Sequence, residues 1–137
     1  MTDLERARAV FMKTPFAAQL TGCGIEDVGP GYARCSLALE PRHMNSLGQP
    51  MGGAIFTLAD FAFAIASNFD RDVFVSTSAD VHFIAAAKGG TLYAEAREIR
   101  SGRRTCLFSV EVSDELGTQV AYVTVRGMLV RQRKRKK

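Results

Sequence analysis

Residues 52 to 68 read Gly-Gly-Ala-Ile-Phe-Thr-Leu-Ala-Asp-Phe-Ala-Phe-Ala-Ile-Ala-Ser-Asn, and they limit this chain more than any other stretch. The run is too long for one strand, and its alanines favour helix. Ile55, Leu58, Ala59, Ala62, Ile65 and Ala66 share one apolar face, while Thr57, Asp60, Ala64 and Ser67 fall together at spacings of three and four. A helix apolar almost all round must be wrapped by other structure. Asp60 is the only formally charged side chain between Arg42 and Asp70. Burying its carboxylate is costly without compensation, which marks it as a site candidate. The stretch is nearly long enough to span a bilayer, but Asp60 lies at its centre and Thr57, Ser67 and Asn68 add polarity, which argues against a membrane helix.

The chain has 137 residues, which predicts one domain over 1–130 with a core of its own and a basic tail over 131–137. The net charge of +4 belongs to that tail. Six of the 18 basic side chains lie in 131–137, so the remainder carries 12 against 14 acidic ones. No basic face is therefore expected on the body, and no aromatic residue interleaves with the tail's charges, so a nucleic-acid partner is not expected. Cys23, Cys35 and Cys106 are odd in number and lack paired spacing, as structural thiols in a reducing cytoplasm do. Asp3, Glu5, Arg6 and Arg8 precede any long apolar run, which argues against a signal peptide. His43 and His82 read as structural residues and offer no metal site.

Residues 3 to 13 predict a short amphipathic helix carrying Leu4, Ala7, Val10 and Phe11, followed by a short turn at Phe16 to Leu20. Gly22 to Val28 and Tyr32 to Leu39 predict strands about a Gly29-Pro30-Gly31 turn, and Pro41 to Pro50 a polar loop. After the helix, strands are expected at Val73–Ala86, Thr91–Arg100, Thr105–Ser113 and Gln119–Arg131. Lys88-Gly89-Gly90, Ser101-Gly102-Arg103 and Asp114-Glu115-Leu116-Gly117 are read as hairpin turns between them, giving an antiparallel meander curved around the helix.

Chemistry concentrates at the helix start. Unpaired amides and the positive dipole end at Gly52 and Gly53 can polarise a carbonyl, and the absence of side chains there lets a ligand reach the backbone. A carboxylate nearby can attack that carbonyl or activate a water. No glycine-rich phosphate loop, serine-centred elbow or paired-cysteine motif is present.

The segment Asn45-Ser-Leu-Gly48-Gln-Pro-Met51-Gly52-Gly53, continued by Leu58-Ala59-Asp60 on the helix, resembles the signature of hotdog-fold acyl-CoA thioesterases of the phenylacetate-pathway (PaaI-type, hydroxybenzoyl-CoA thioesterase-like) group. The likeness extends from about Gly22 to Val130 and includes Asp80-Val-His-Phe-Ile84, Lys88-Gly89, Leu92-Tyr-Ala-Glu-Ala96 and Val120-Ala121. It implies an α+β hotdog fold, an antiparallel sheet wrapped around one long central hydrophobic helix. It implies hydrolysis of an acyl-CoA to free acid and CoA without a cofactor or metal, and the apolar residues Leu47, Met51, Phe56, Phe61 and Phe63 suit an aryl- or medium-chain acyl group, although some could belong to the core. Asp60 would be nucleophile or general base, the Gly52 amide would bind the thioester oxygen, and Asn45 would position the water or the carboxylate. Gly53, Met51, Thr57 and Ser76 would contact substrate, with Thr77 and Ser78 as rivals of Ser76. Arg103, Arg104 and Lys88 are turn cations that could meet CoA phosphates, although turn charges are usually only solvated. The resemblance also implies a homodimer whose sites combine both subunits, or a tetramer of two dimers, in the cytoplasm and off the membrane. The sequence departs from the family at Met51, where the pattern has His before Gly-Gly, and methionine offers neither a proton nor a charge. That leaves an acyl-CoA-binding or regulatory hotdog protein without turnover as the alternative.

Overall fold

The computed structural model describes residues 1–133, so only Arg131 to Arg133 of the basic tail lie among the described residues. Helix α1 spans Asp3–Phe11, opened by a capping box in which Thr2 accepts from the Glu5 amide and Glu5 accepts in return from the Thr2 amide. A π-helical turn at Pro15–Thr21 ends on Gly22, whose φ of 95° suits glycine. Strands β1 (Gly24–Gly29) and β2 (Tyr32–Ala38) form a hairpin, and a 3₁₀ turn at Pro41–His43 leads towards helix α2, Gly52–Asn68. Four strands follow: β3 (Val73–Phe83), β4 (Thr91–Ser101), β5 (Thr105–Asp114) and β6 (Gln119–Arg131).

The six strands form one antiparallel sheet in the order β1-β2-β4-β5-β6-β3, and α2 packs on its concave face. Alternation decides which side chains face the helix: Cys106, Phe108, Val110 and Val112 of β5 are buried, as are Ala121, Val123 and Val125 of β6. Leu58, Ala59, Ala62, Ile65 and Ala66 of α2 meet them at 0–1% exposure. The small residues let helix and sheet approach closely. At the tightest point Phe63 meets Phe108 edge-on, with centroids 5.5 Å apart, and Phe63 also lies over Gly127.

The meander expected after the helix holds for β4, β5 and β6 but not for β3. Lys88-Gly89-Gly90 is not a hairpin turn, because β3 ends at Phe83 and pairs with β6 at the edge of the sheet. The chain then crosses to β4, which lies between β2 and β5. Asp114 holds this crossover. Its Oδ2 accepts from the amides of Lys88 and Gly89 at 2.8 and 2.9 Å, and its Oδ1 from Leu116 and Thr118 at 3.0 and 2.8 Å. Burial alone would raise the Asp114 pKa, but the amides of Lys88, Gly89 and Thr118 outweigh it and hold the carboxyl well below its ordinary value of 3.8. The glycines supply what that clamp needs, since a Cβ on Gly89 would fall 1.8 Å from the Glu115 carboxylate. Among the described residues no helix is long and apolar enough to cross a membrane. The three cysteines are buried and unpaired, and burial pushes the Cys23 thiol up to about 12.

A Cβ on Gly127 would stand 2.7 Å from the Cys106 sulfur and 3.0 Å from the Phe63 ring. Gly127→Ala is therefore expected to destabilise the chain by about 1–3 kcal/mol, read as a shifted urea midpoint. Asp114→Ala leaves four amides without their acceptor and is expected to lower Tm at pH 7. Because the native carboxyl is held below 3.8, its stabilisation is complete above that value and fades as the pH falls below it. The Tm difference between wild type and variant should therefore shrink below about pH 4.

Candidate active site

The loop before α2 is a closed hairpin. Met44 bridges to Pro50, the Asn45 amide donates to Gln49 O at 2.7 Å, and Gly48 turns the chain at φ 76°. The Asn45 side chain is part of this frame, its Oδ1 accepting from the amides of Leu47 (2.9 Å) and Gln49 (3.1 Å). Buried His43 anchors the base. Its Nδ1 accepts from the Glu40 amide at 3.0 Å, so Nε2 carries the proton donated to Thr21 O at 2.7 Å. The Met51 amide donates to His43 O at 2.8 Å, which fixes where the helix begins.

At that start the amides of Ala54 and Ile55 both donate to Met51 O, and Met51 supplies no side-chain cap. The Gly52 and Gly53 N–H groups donate to no acceptor among the described residues. Two free donors therefore sit at the positive end of α2, suited to a developing oxyanion. A cleft lies on each side. One, about 390 Å³, is lined by Asn45, Gln49, Gly52, Ile55, Phe83 and Val120 among others. The other, about 340 Å³, is lined by Phe16, Arg42, His43, Met51, Gly53 and Thr57 with two neighbours. Asn45 and Gly52 thus share one cleft, and Met51, Gly53 and Thr57 the other.

Asp60 lines neither. It stands eight residues beyond Gly52, about 12 Å along the axis at 1.5 Å per residue. It is half-buried and accepts no hydrogen bond among the described residues, and desolvation raises its pKa above the ordinary 3.8. Phe56, Thr57 and Ala64 flank it on the uncovered stripe of the helix, whereas Ser67, expected on that stripe, is wholly buried and bonds Ala64 O. The Thr57 hydroxyl donates to Gly53 O at 2.7 Å, so its proton is committed to the helix backbone. Ser76 lies on exposed β3, two residues from buried Phe74 and on the same side of the strand, outside both clefts. Thr77 occupies a bulge and donates to Arg126 O.

Two cleft residues are not evident from the sequence. Phe83 ends β3 with its ring over Gly52, where an added Cβ would meet it at 3.1 Å. Its one sequence signal is the apolar Phe83-Ile84 pair closing a polar strand. Gln49 presents a buried Oε1 with no partner, an acceptor available to a ligand's N–H. Of the apolar residues that suit an acyl group, Phe61 and Phe63 belong to the core, whereas Leu47 and Met51 are 84% and 58% exposed. Among the described residues no three His, Cys, Asp or Glu side chains cluster as metal ligands would.

A central helix with free amides at its start, wrapped by an antiparallel sheet, is the architecture of the hotdog thioester hydrolases. The chain belongs to that group: residues 50–121 match the thioesterase superfamily. The acyl-coenzyme A thioesterase PaaI of Escherichia coli is 28% identical over 105 residues, 76% of this chain and 75% of that protein. Its solved structure superposes with a TM-score of 0.87 over 95% of both chains, at 22% identity. A mutant form of the phenylacetic acid degradation protein PaaI from Thermus thermophilus is 30% identical, with a TM-score of 0.77 over 82% of this chain and 97% of that one. A Streptococcus mutans protein solved bound to acetyl CoA is 25% identical, with a TM-score of 0.77 over 82% and 91% of the two chains.

The raised Asp60 pKa has a consequence for stability. A carboxyl whose native pKa exceeds its unfolded value keeps its proton longer in the folded state, so stability falls as the pH climbs from the unfolded to the native value. Above both values the penalty is complete. Asp60→Asn is therefore expected to raise Tm at pH 7 and to leave it unchanged near pH 3, by thermal denaturation at the two pH values.

Proposed function

We propose that the protein hydrolyses an aryl- or medium-chain acyl-CoA thioester in a site built by two copies of the chain. The observation that carries this reading is the separation of about 12 Å between Gly52 and Asp60. A carbonyl held on the Gly52 amide lies beyond reach of the same copy's Asp60, since a reacting pair has to approach within about 3–3.5 Å. Asp60 nevertheless faces outward on the uncovered stripe of α2, beside β3. One long side of β3 pairs with β6, and the other pairs with nothing among the described residues. Val75 on that strand is 48% exposed and Ser76 to Asp80 are exposed too. A long exposed edge invites strand pairing, and a two-fold pair of β3 edges sets two α2 helices side by side. Asp60 of one copy then serves the thioester held by Gly52 and Asn45 of the other.

In this site the Gly52 N–H donates to the thioester oxygen. The Asp60 carboxylate takes a proton from water, whose oxygen adds to the carbonyl carbon. The carbon–sulfur bond then breaks, and the CoA thiolate leaves and is protonated. Direct attack by the carboxylate, giving an anhydride that water opens, uses the same atoms. Burial favours either role, because a desolvated carboxylate with a raised pKa is a stronger base. Ile55 and Phe83 on one side, with Phe16 and Met51 on the other, give apolar walls that suit an aryl or medium-chain acyl group. The likeness to the E. coli thioesterase and to the protein solved with acetyl CoA supports a CoA ester as the substrate.

Free thiol released from a panel of acyl-CoAs tests the reading. Asp60→Asn should lower kcat about 10²–10⁴-fold with substrate binding retained. Equal rates for the two proteins would remove Asp60 from catalysis, and a monomer by sedimentation would remove the shared site. Met51 favours a second reading: 58% exposed at the helix cap and making no side-chain bond, it replaces a proton-bearing residue with an apolar one. Tight binding of acyl-CoA by the wild type without turnover across the panel would establish a binding protein instead.

A further inference from the structure

The two clefts beside the start of α2 leave different polar groups unused. In the cleft of Met51 and Gly53, Arg42 pairs with Glu40 at 2.7 Å and donates to Leu20 O and Thr21 O. His43 uses both ring nitrogens, and the Thr57 hydroxyl donates to Gly53 O. Apart from Thr21, every polar side chain lining that cleft is therefore committed, and Phe16 and Met51 complete its walls.

Among the described residues, Asn45 and Gln49 are the only polar side chains lining the cleft of Gly52. The Asn45 Oδ1 is occupied by the amides of Leu47 and Gln49 at 2.9 and 3.1 Å. The Gln49 Oε1 is shut off from water and meets no donor among the described residues. A buried acceptor without a partner weakens the free protein. The backbone that carries it is held on both sides, because the Gln49 N–H donates to Asn45 Oδ1 and the Gln49 carbonyl accepts from the Asn45 amide at 2.7 Å. Only the side chain is left to turn. Its last torsion is broad, so the oxygen swings into the cleft when a donor enters.

A thioester held at Gly52 brings one of two substituents to that oxygen. An unsubstituted aryl or alkyl acyl group has no N–H or O–H to donate. The thiol side of a CoA ester has an amide N–H two carbons from the sulfur, about 5 Å from the carbonyl carbon when extended. Gln49 lies three residues before Gly52 and lines the same cleft. A carbonyl on the Gly52 N–H therefore sets that amide within reach of the Gln49 side chain.

We propose that Gln49 Oε1 accepts the N–H of the amide nearest the thioester sulfur, which makes Gln49 a determinant of the thiol that the protein accepts. This contact rests on the reading of the protein as an acyl-CoA hydrolase with its carbonyl on Gly52. It fixes which way round the substrate lies across the helix start. The thiol arm takes the cleft of Gln49 and Phe83, and the acyl group takes the cleft of Phe16 and Met51. The reverse orientation leaves the Gln49 acceptor unpaired and buries an amide against apolar walls, which is unfavourable on both counts.

Two short thioesters test it on the full chain. S-(2-acetamidoethyl) thiobenzoate carries the amide N–H, and S-(2-acetoxyethyl) thiobenzoate has an ester oxygen in its place with nearly the same shape. The wild type should favour the amide at least about tenfold in kcat/KM, and Gln49→Leu should bring the ratio of the two to within a factor of about two of unity. A steric or folding role for Gln49 alters both rates alike and leaves the ratio as it was. A wild-type ratio near unity, or a ratio that Gln49→Leu keeps, overturns the contact.

The same pair is run as competitors of benzoyl-CoA binding, with Gln49 intact and as Gln49→Leu, which reads the contact without turnover. The amide should compete at least about tenfold more strongly than the ester only where Gln49 is present. The two readings fail separately. If Asp60→Asn is inactive and Gln49→Leu leaves both ratios unmoved, hydrolysis stands and the Gln49 contact falls. If Asp60→Asn is fully active and Gln49→Leu abolishes the preference, the role of Asp60 falls and the Gln49 contact stands. A protein that binds no CoA ester overturns both.

Discussion

The close packing of α2 against the sheet fixes everything else in this molecule. The Phe63 ring meets Phe108 edge-on and rests over Gly127, where no side chain could intervene. Alanines at 59, 62 and 66 bring the helix down onto β-strands whose inward residues are mainly Ala, Val and Cys. A close-packed contact of this kind leaves little freedom in where the helix begins and ends. The helix runs antiparallel to β3: at one end the Asn68 amide group bonds the Phe74 backbone in both directions, and at the other Phe83 covers Gly52. The positions of the free amides and of Asp60 are set by that one packing.

The same packing leaves a defined region bare. The sheet covers most of α2 but not the stripe of Phe56, Thr57, Asp60 and Ala64, and β3 is paired on one side only. An apolar helix stripe beside an open strand edge is costly for an isolated chain, and the half-buried carboxylate on it adds to the cost. These features become consistent when a second copy covers them. In the proposed dimer the carboxylate lies close to a carbonyl it cannot reach within its own chain, and the free edge is the seam. In that proposed dimer the physical and the chemical reasons for assembly coincide on one face.

Much of this is legible in the residues. Gly52–Asn68 can be read with the bounds it has, because glycines at one end and polar residues at the other frame an unbroken apolar run. The strands β4, β5 and β6 are legible from strict alternation. The place of β3 is not, because neighbours in a sheet are set by long-range packing, and Lys88-Gly89-Gly90 looks locally like any hairpin turn. Its true character depends on Asp114, 25 and 26 residues from Gly89 and Lys88 in sequence, whose carboxylate gathers their amides. Gln49 and Phe83 are hidden for the same reason: nothing nearby in the sequence says that a glutamine oxygen is left without a partner or that a ring lies over a glycine. Ser67 shares the helical phase of Asp60 yet is wholly buried, with its hydroxyl turned onto Ala64 O.

Met51 bears on how such a site works. A Ser, Thr, Asp or Asn at the start of a helix turns its oxygen back onto the first free amides and satisfies one of them. Methionine does not, and the Met51 side chain makes no such bond. The Gly52 and Gly53 donors are therefore left to a ligand. Methionine brings an apolar chain that borders the cleft of Phe16 and Thr57 and offers no N–H. In the proposed reaction polarisation of the carbonyl falls on the Gly52 amide and the positive end of α2, whose start is held by the hydrogen bond from the Met51 amide to His43 O. In that proposal the residue that departs from the family pattern leaves the work of binding charge to the backbone. Buried His43 holds the loop that carries those amides.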